Sequence, residues 1–285
     1  MGDVQLVMFP LHTCSDRIDR LRYVLIVQSS PGTMTAELRK LTHKDRLNIG
    51  QQISKRVLDK YGDAVLTVFI CGSTAKQLDR PYSDLEMIVV VRDRVEIPMK
   101  YYLHRGLVVE IDYLQESNFL RGARRVTQNW PNEADQYRNR LVIFEREGWM
   151  RRLDEAVKES DGADFTEAIR WASVSVTESM GVLRNAHLTG DMIGVRARGR
   201  IVAGEGAIIV FLLNRRYVTT TSWFWKQAFE CPWKPNDFEE LVKKSASFTP
   251  ASPDEIAKAA EQLHAEIMEM VESRGISIES DELIV

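Results

Sequence analysis

The chain has 285 residues, of which 44% are hydrophobic and 28% charged. That is the composition of a globular protein with room for one large or two ordinary domains. A formal net charge of −3 gives no electrostatic footing for general nucleic-acid binding, and no apolar run approaches the length of a membrane span.

Three cysteines, Cys14, Cys71 and Cys231, are too few and too scattered for a disulfide framework. The histidines show no metal-ligand spacing. The N-terminus lacks the basic and apolar regions of a secretory signal, so a reducing, cytoplasmic setting is expected.

In chain order, residues 1–41 read as an N-terminal extension. Arg22 to Val27 has the pattern of a short strand, and Ser29 to Thr33 that of a loop. Thr42 to Tyr61 reads as an amphipathic helix, with Leu47, Ile53, Val57 and Leu58 as its apolar stripe and Gly62 as its stop. Leu66 to Cys71 is apolar and β-branched, which predicts a buried strand.

Gly72-Ser73 ends that strand, and Thr74 to Leu78 looks like the start of a short helix. A helix start offers unpaired N–H groups to a phosphate, and glycine lacks the Cβ that would block its approach. Ser73 adds a hydroxyl. Alone, such a turn is most often a plain strand–helix connection.

The acids that follow change that reading. Asp84 to Val91 predicts a second strand, on which Asp84 and Glu86 share a face while Leu85 and Met87 take the other. Leu107 to Tyr113 predicts a further strand, with Glu110 and Asp112 on one face. If the two strands are neighbours, their carboxylates crowd one spot. A divalent metal relieves that repulsion, and Mg²⁺ favours carboxylates together with substrate phosphates. The plain alternative, two solvated strand faces, does not explain why the acids directly follow the turn.

Leu141 to Phe144 predicts another strand, and Gly148 marks a turn near a domain boundary at about 150. Beyond it the pattern is helical. Asp164 can cap a helix from Phe165 to His187, and Ile201 to Leu213 reads as a buried helix. Ser252-Pro253-Asp254-Glu255 is a helix start, Ile256, Leu263, Ile267 and Val271 form its inner face, and Gly275 ends it. The expected fold class is α/β (α+β): a catalytic domain over 42–150 followed by a helical domain over 151–285.

Gly72-Ser73 followed by Asp84-x-Glu86 resembles the signature of the DNA polymerase beta-like nucleotidyltransferase superfamily. The finer resemblance is to the kanamycin nucleotidyltransferase family, the aminoglycoside adenylyltransferases. It is carried by Leu58 to Asp63, Gln77, Asp79, Pro81 to Asp84, Glu86-Met87, Glu110, Trp130-Pro131 and Gln136. Glu178-x-x-Gly181-x-x-Arg184-Asn185 and Thr219 to Ser222 continue it, so it runs from about Thr42 to the C-terminus.

The resemblance implies a mixed-sheet catalytic domain and a helical bundle. It implies Mg²⁺-dependent transfer of AMP, from ATP or of another nucleotide from its triphosphate, to a hydroxyl of a small molecule such as kanamycin, with release of pyrophosphate. Asp84, Glu86 and Glu110 would bind metal. Gly72, Ser73, Lys76 and Ser83 would hold the nucleotide, and Glu178 would be the general base. A homodimer with shared active sites is implied, the base reaching the site from the partner.

Two positions depart from the family. Val182 stands where a lysine contacts the triphosphate, and Tyr101 where a glutamate binds the antibiotic. They keep two alternatives open: a protein or RNA acceptor, and a nucleotide-binding dimer without catalysis.

Overall fold

The computed structural model describes residues 37–280 together with Glu282 and Leu283. The described residues form one compact unit. The strand expected at Arg22 to Val27 and the loop at Ser29 to Thr33 lie outside the described residues.

Helix α1 (His43–Tyr61) opens on a capping box. The Thr42 hydroxyl accepts from the Asp45 amide at 3.2 Å, and the Asp45 carboxylate accepts from the Thr42 amide at 2.8 Å. Such a cap contributes about 1 kcal/mol. The helix stops at Gly62, as its sequence predicts, and buries Arg46, Gly50, Ser54 and Val57. Leu47, Ile53 and Leu58 are partly buried against the sheet.

The sheet comprises β1 (Val65–Ile70), β2 (Leu85–Val91), β3 (Lys100–His104), β4 (Leu107–Gln115) and β5 (Leu141–Glu145). Their order is β3-β4-β2-β1-β5. Only β2 and β4 run parallel; the other pairs are antiparallel.

Both faces are covered, which is why β1 and β2 are continuous apolar runs rather than alternating ones. Leu85, Met87, Val89 and Val91 pack with Val57 of α1 on one face. Ile88 and Val90 pack on the other, against Phe119 of α3 (Glu116–Arg124), Tyr137 of α4 (Trp130–Arg138) and Trp149 of α5 (Trp149–Asp161).

The remaining helices are α6 (Thr166–Leu188), α7 (Met192–Leu213), α8 (Phe224–Phe229), α9 (Phe238–Ser245) and α10 (Pro253–Glu272). They share one apolar core. The predicted box at Ser252 and Glu255 caps α10, and Ile256, Leu263, Ile267 and Val271 line its buried side. Helix α6 begins at Thr166 rather than Phe165, because Asp164 accepts from the Thr166 amide at 3.0 Å.

Helix α7 begins nine residues before the expected Ile201, capped by the Asp191 carboxylate on the Gly194 amide at 2.8 Å. The molecule is thus an α+β protein with a mixed five-stranded sheet followed by helices, as expected. Among the described residues no helix is long and apolar enough to cross a membrane.

Candidate active site

Strand β1 leads into a single helical turn, α2 (Gly72–Ala75), which starts two residues before the short helix start expected at Thr74 to Leu78 and ends three residues earlier. Lys76 caps it, and Gln77 turns the chain away with a positive φ of 57°. Gly72 itself has φ +64°, and a Cβ there would lie 1.7 Å from Glu86 Oε2. Glycine suits the left-handed backbone, and a side chain there would push the Glu86 carboxylate away from the turn. The Cys71 amide donates to the Glu86 carbonyl at 3.0 Å and joins the turn to β2. Ser73 is half-buried beside Gly72.

Pairing of β2 with β4 sets Glu86 opposite Glu110 and Ile88 opposite Asp112. Pairing of β3 with β4 sets Tyr101 opposite Glu110. Residues directly opposite on neighbouring strands lie on one face of the sheet. Tyr101, Glu110 and Glu86 thus form a row that leads to Gly72, and Asp84 stands one residue before β2.

The carboxylates feel one another. Burial pushes the Glu86 carboxyl up to about 7, helped by the charges of Asp84 and Glu110 and opposed by Lys76. Burial likewise pushes the Cys71 thiol well up, with Glu86, Asp112 and Glu110 adding to it. The crowding expected from the period-two pattern is present.

Among the described residues, no three histidine, cysteine or acidic side chains stand as a ready metal cage. The donors nevertheless suit Mg²⁺ in kind, since that ion takes one or two carboxylates and fills its shell with waters and substrate phosphates. Burial and the neighbouring acids make the charge on Glu86 a load that a cation relieves.

Other expected residues have their own partners. The Ser83 hydroxyl accepts from the Arg80 amide at 2.9 Å, which leaves its proton free to donate. Lys76 donates to the Asp135 carboxylate, a largely buried pair. Glu178 is exposed on α6. Burial pushes the Glu205 carboxyl up, and Glu178 adds to that shift. Asp84, Glu110, Lys76 and Asp135 are the charges that act most strongly on Glu86, and Glu178 is not among them.

Two residues outside the sequence reading matter here. Arg46 is completely buried on α1. Its guanidinium donates to the carbonyls of Leu41, Arg80, Pro81 and Ser83 and to Asp79. Asp79 also bonds His43 at 2.7 Å. Arg46 thereby fixes the loop that delivers Asp84. Its signal was a charge on the buried face, spaced with Gly50, Ser54 and Val57. Asp135 is the second, and nothing local in its sequence marks it.

Residues 147–277 match the family model of the KNTase C-terminal domain. Two aminoglycoside nucleotidyltransferases (4'), from Staphylococcus aureus and a Bacillus species, are each 26% identical to the chain over 240 residues, covering 84% of it and 95% of the relative. The crystal structure of a nucleotidyltransferase-like protein from Exiguobacterium sibiricum superposes with a TM-score of 0.51 at 14% identity, covering 80% of this chain and 76% of that one. That likeness concerns the fold. With the glycine turn set against Glu86, itself in register with Glu110, and with nucleotidyltransferase relatives matched along most of the chain, the protein is a nucleotidyltransferase whose residues 147–277 match the KNTase C-terminal domain.

Proposed function

We propose that the protein moves AMP from ATP to a hydroxyl of an aminoglycoside-type small molecule and releases pyrophosphate. One observation carries this reading. A left-handed glycine turn fit to take phosphate stands against the carboxylate of Glu86, which is paired in register with Glu110 and feels the charge of Asp84 two residues before it. The relatives' printed activity supplies the acceptor class.

Asp84, Glu86 and Glu110 would hold Mg²⁺. When bound, that ion neutralises charge on the triphosphate and stabilises the in-line displacement. Gly72 and Ser73 receive the phosphates through the turn, and Lys76 sets an ammonium beside it. The acceptor oxygen forms a bond to the α-phosphorus as the bond to the pyrophosphate oxygen breaks. The acceptor's proton passes to Glu178, whose exposure suits a base that serves a partner's site in a homodimer.

One observation favours a different acceptor within the same chemistry. Tyr101 is 60% exposed and stands opposite Glu110, so a neutral phenol, not a carboxylate, faces the acceptor side. A phenol stacks on rings and donates a hydrogen bond, but forms no ion pair with an ammonium group.

Pyrophosphate release from Mg-ATP, with and without kanamycin-class aminoglycosides, tests the proposal. The wild type should show acceptor-dependent release. Asp84→Asn should reduce it about a thousandfold or more while folding normally. Full activity in that variant removes Asp84 from the mechanism. Release triggered only by other hydroxyl compounds makes the acceptor the one that Tyr101 selects.

A further inference from the structure

Asp135 lies on α4 and is only 8% exposed, although it is charged. Both of its carboxylate oxygens are engaged. Oδ2 accepts from Lys76 Nζ, and Oδ1 accepts from Asn139 Nδ2 at 2.7 Å. The Asn139 amide also donates to the Tyr217 hydroxyl at 3.3 Å, beyond the end of α7. Tyr217 packs edge-on against Trp130 with ring centroids 6.1 Å apart. Asp135 is thus held from the α4 side, and it reaches across to the residue that caps the Gly72–Ala75 turn.

Lysine carries its charge on a flexible four-carbon stem and loses much rotamer freedom when fixed. Here the stem is fixed: the side chains of Lys76 and Asp135 are 11% and 12% exposed. An ammonium has three donors, and the carboxylate of Asp135 leaves donors over for phosphate oxygens.

We propose that Asp135 is the positioning residue of the nucleotide half-site, holding the Lys76 ammonium beside the Gly72-Ser73 turn so that it meets the phosphates of a nucleoside triphosphate already in place. The inference rests on the nucleotidyl-transfer reading above and adds a residue that acts only through another. Asp135 touches no reacting atom. Its effect is to remove the entropy that Lys76 would otherwise lose on binding.

The test pairs a readout without nucleotide with a kinetic one. Acetylation by acetic anhydride, read by mass spectrometry, should find Lys76 protected in the wild type and about tenfold more reactive in Asp135→Asn. In the same variant KM for Mg-ATP should rise about tenfold with kcat little changed. Asp135→Glu should restore both. Lys76→Met should raise KM alike, and adding Asp135→Asn to it should raise KM no further.

Multiplying effects in the double variant, or a Lys76 that stays protected in Asp135→Asn, would overturn the inference. If Asp135→Asn does not fold, Lys76→Met and the double variant still decide it, because the double variant buries no lone charge. A wild type that releases no pyrophosphate sinks the nucleotidyl-transfer reading, and the acetylation arm then decides alone whether Asp135 holds Lys76.

Discussion

At the scale of single residues, the site is assembled at the expense of stability. Glu86 has a folded pKa of about 7 against an ordinary 4.5, with burial as the first cause. A carboxyl raised in this way contributes most to stability below about pH 4.5, and that contribution is lost as pH rises through 7. At pH 8 the ionised group costs on the order of 3 kcal/mol. In metal-free buffer Glu86→Gln should therefore unfold at higher urea than the wild type at pH 8, with the gap closing by pH 5. Magnesium should stabilise the wild type at pH 8 more than the variant, and turnover should be lost. Equal stabilities at both pH values would mean that Glu86 ionises without strain.

Arg46 is the opposite case, a buried charge that is fully partnered. Removing it as Arg46→Met takes a donor from four carbonyls and from Asp79, a loss of about 3 to 5 kcal/mol. Denaturant unfolding measures it, and a change under 1 kcal/mol would show that the loop does not depend on this guanidinium.

At the scale of elements, what the sequence discloses follows from how local each cause is. Strands β1 and β2 were legible because burial on both faces writes itself as apolar runs, and β4 because its buried residues alternate with half-buried ones that include Glu110 and Asp112. The pairing of Asp84 with Glu86, and of Glu110 with Asp112, followed from a period of two. The cap of α10 was legible because Ser252 and Glu255 lie within one turn.

Strand β3 was not legible. Lys100 to His104 is an edge strand with Tyr101, Tyr102 and Leu103 exposed, so no apolar alternation announces it. The first nine residues of α7 were hidden by Gly194 and Gly199, which lower helix propensity. Gly199 is there for packing: a Cβ would lie 2.4 Å from the Ser245 carbonyl oxygen, and the Ser245 hydroxyl donates to the Gly199 carbonyl at 2.8 Å. Arg46 and Asp135 were missed for a related reason. Their partners Asp79 and Lys76 lie 33 and 59 residues away. A charge reads as solvated until the fold supplies the group that pairs it.

At the scale of the whole molecule, α4 joins the two halves of the described chain. Trp130 and Ala134 belong to the core of the helices, while Tyr137, on the same helix, belongs to the core beneath the sheet. The proposed base lies elsewhere. Glu178 shares one face of α6 with Trp171, Val174 and Val182, which are 64%, 44% and 36% exposed. Positions separated by three, four and four residues along a helix make a continuous stripe. An apolar stripe around a lone carboxylate suits a surface that meets a second copy of the chain and delivers Glu178 to its site.

Complementation tests this directly. Asp84→Asn and Glu178→Gln should each be inactive alone. In a heterodimer of the two, one site joins an intact Asp84 to an intact Glu178 from the other chain. Half of a randomly assembled mixture is heterodimer with one working site of two, so co-refolded variants should recover about a quarter of wild-type activity. If Glu178 serves its own chain's site, both sites of the heterodimer stay broken and the mixture remains silent. Sedimentation of the wild type fixes the premise: an active monomer would leave the stripe on α6 without its partner and place the base in the same chain as the acids.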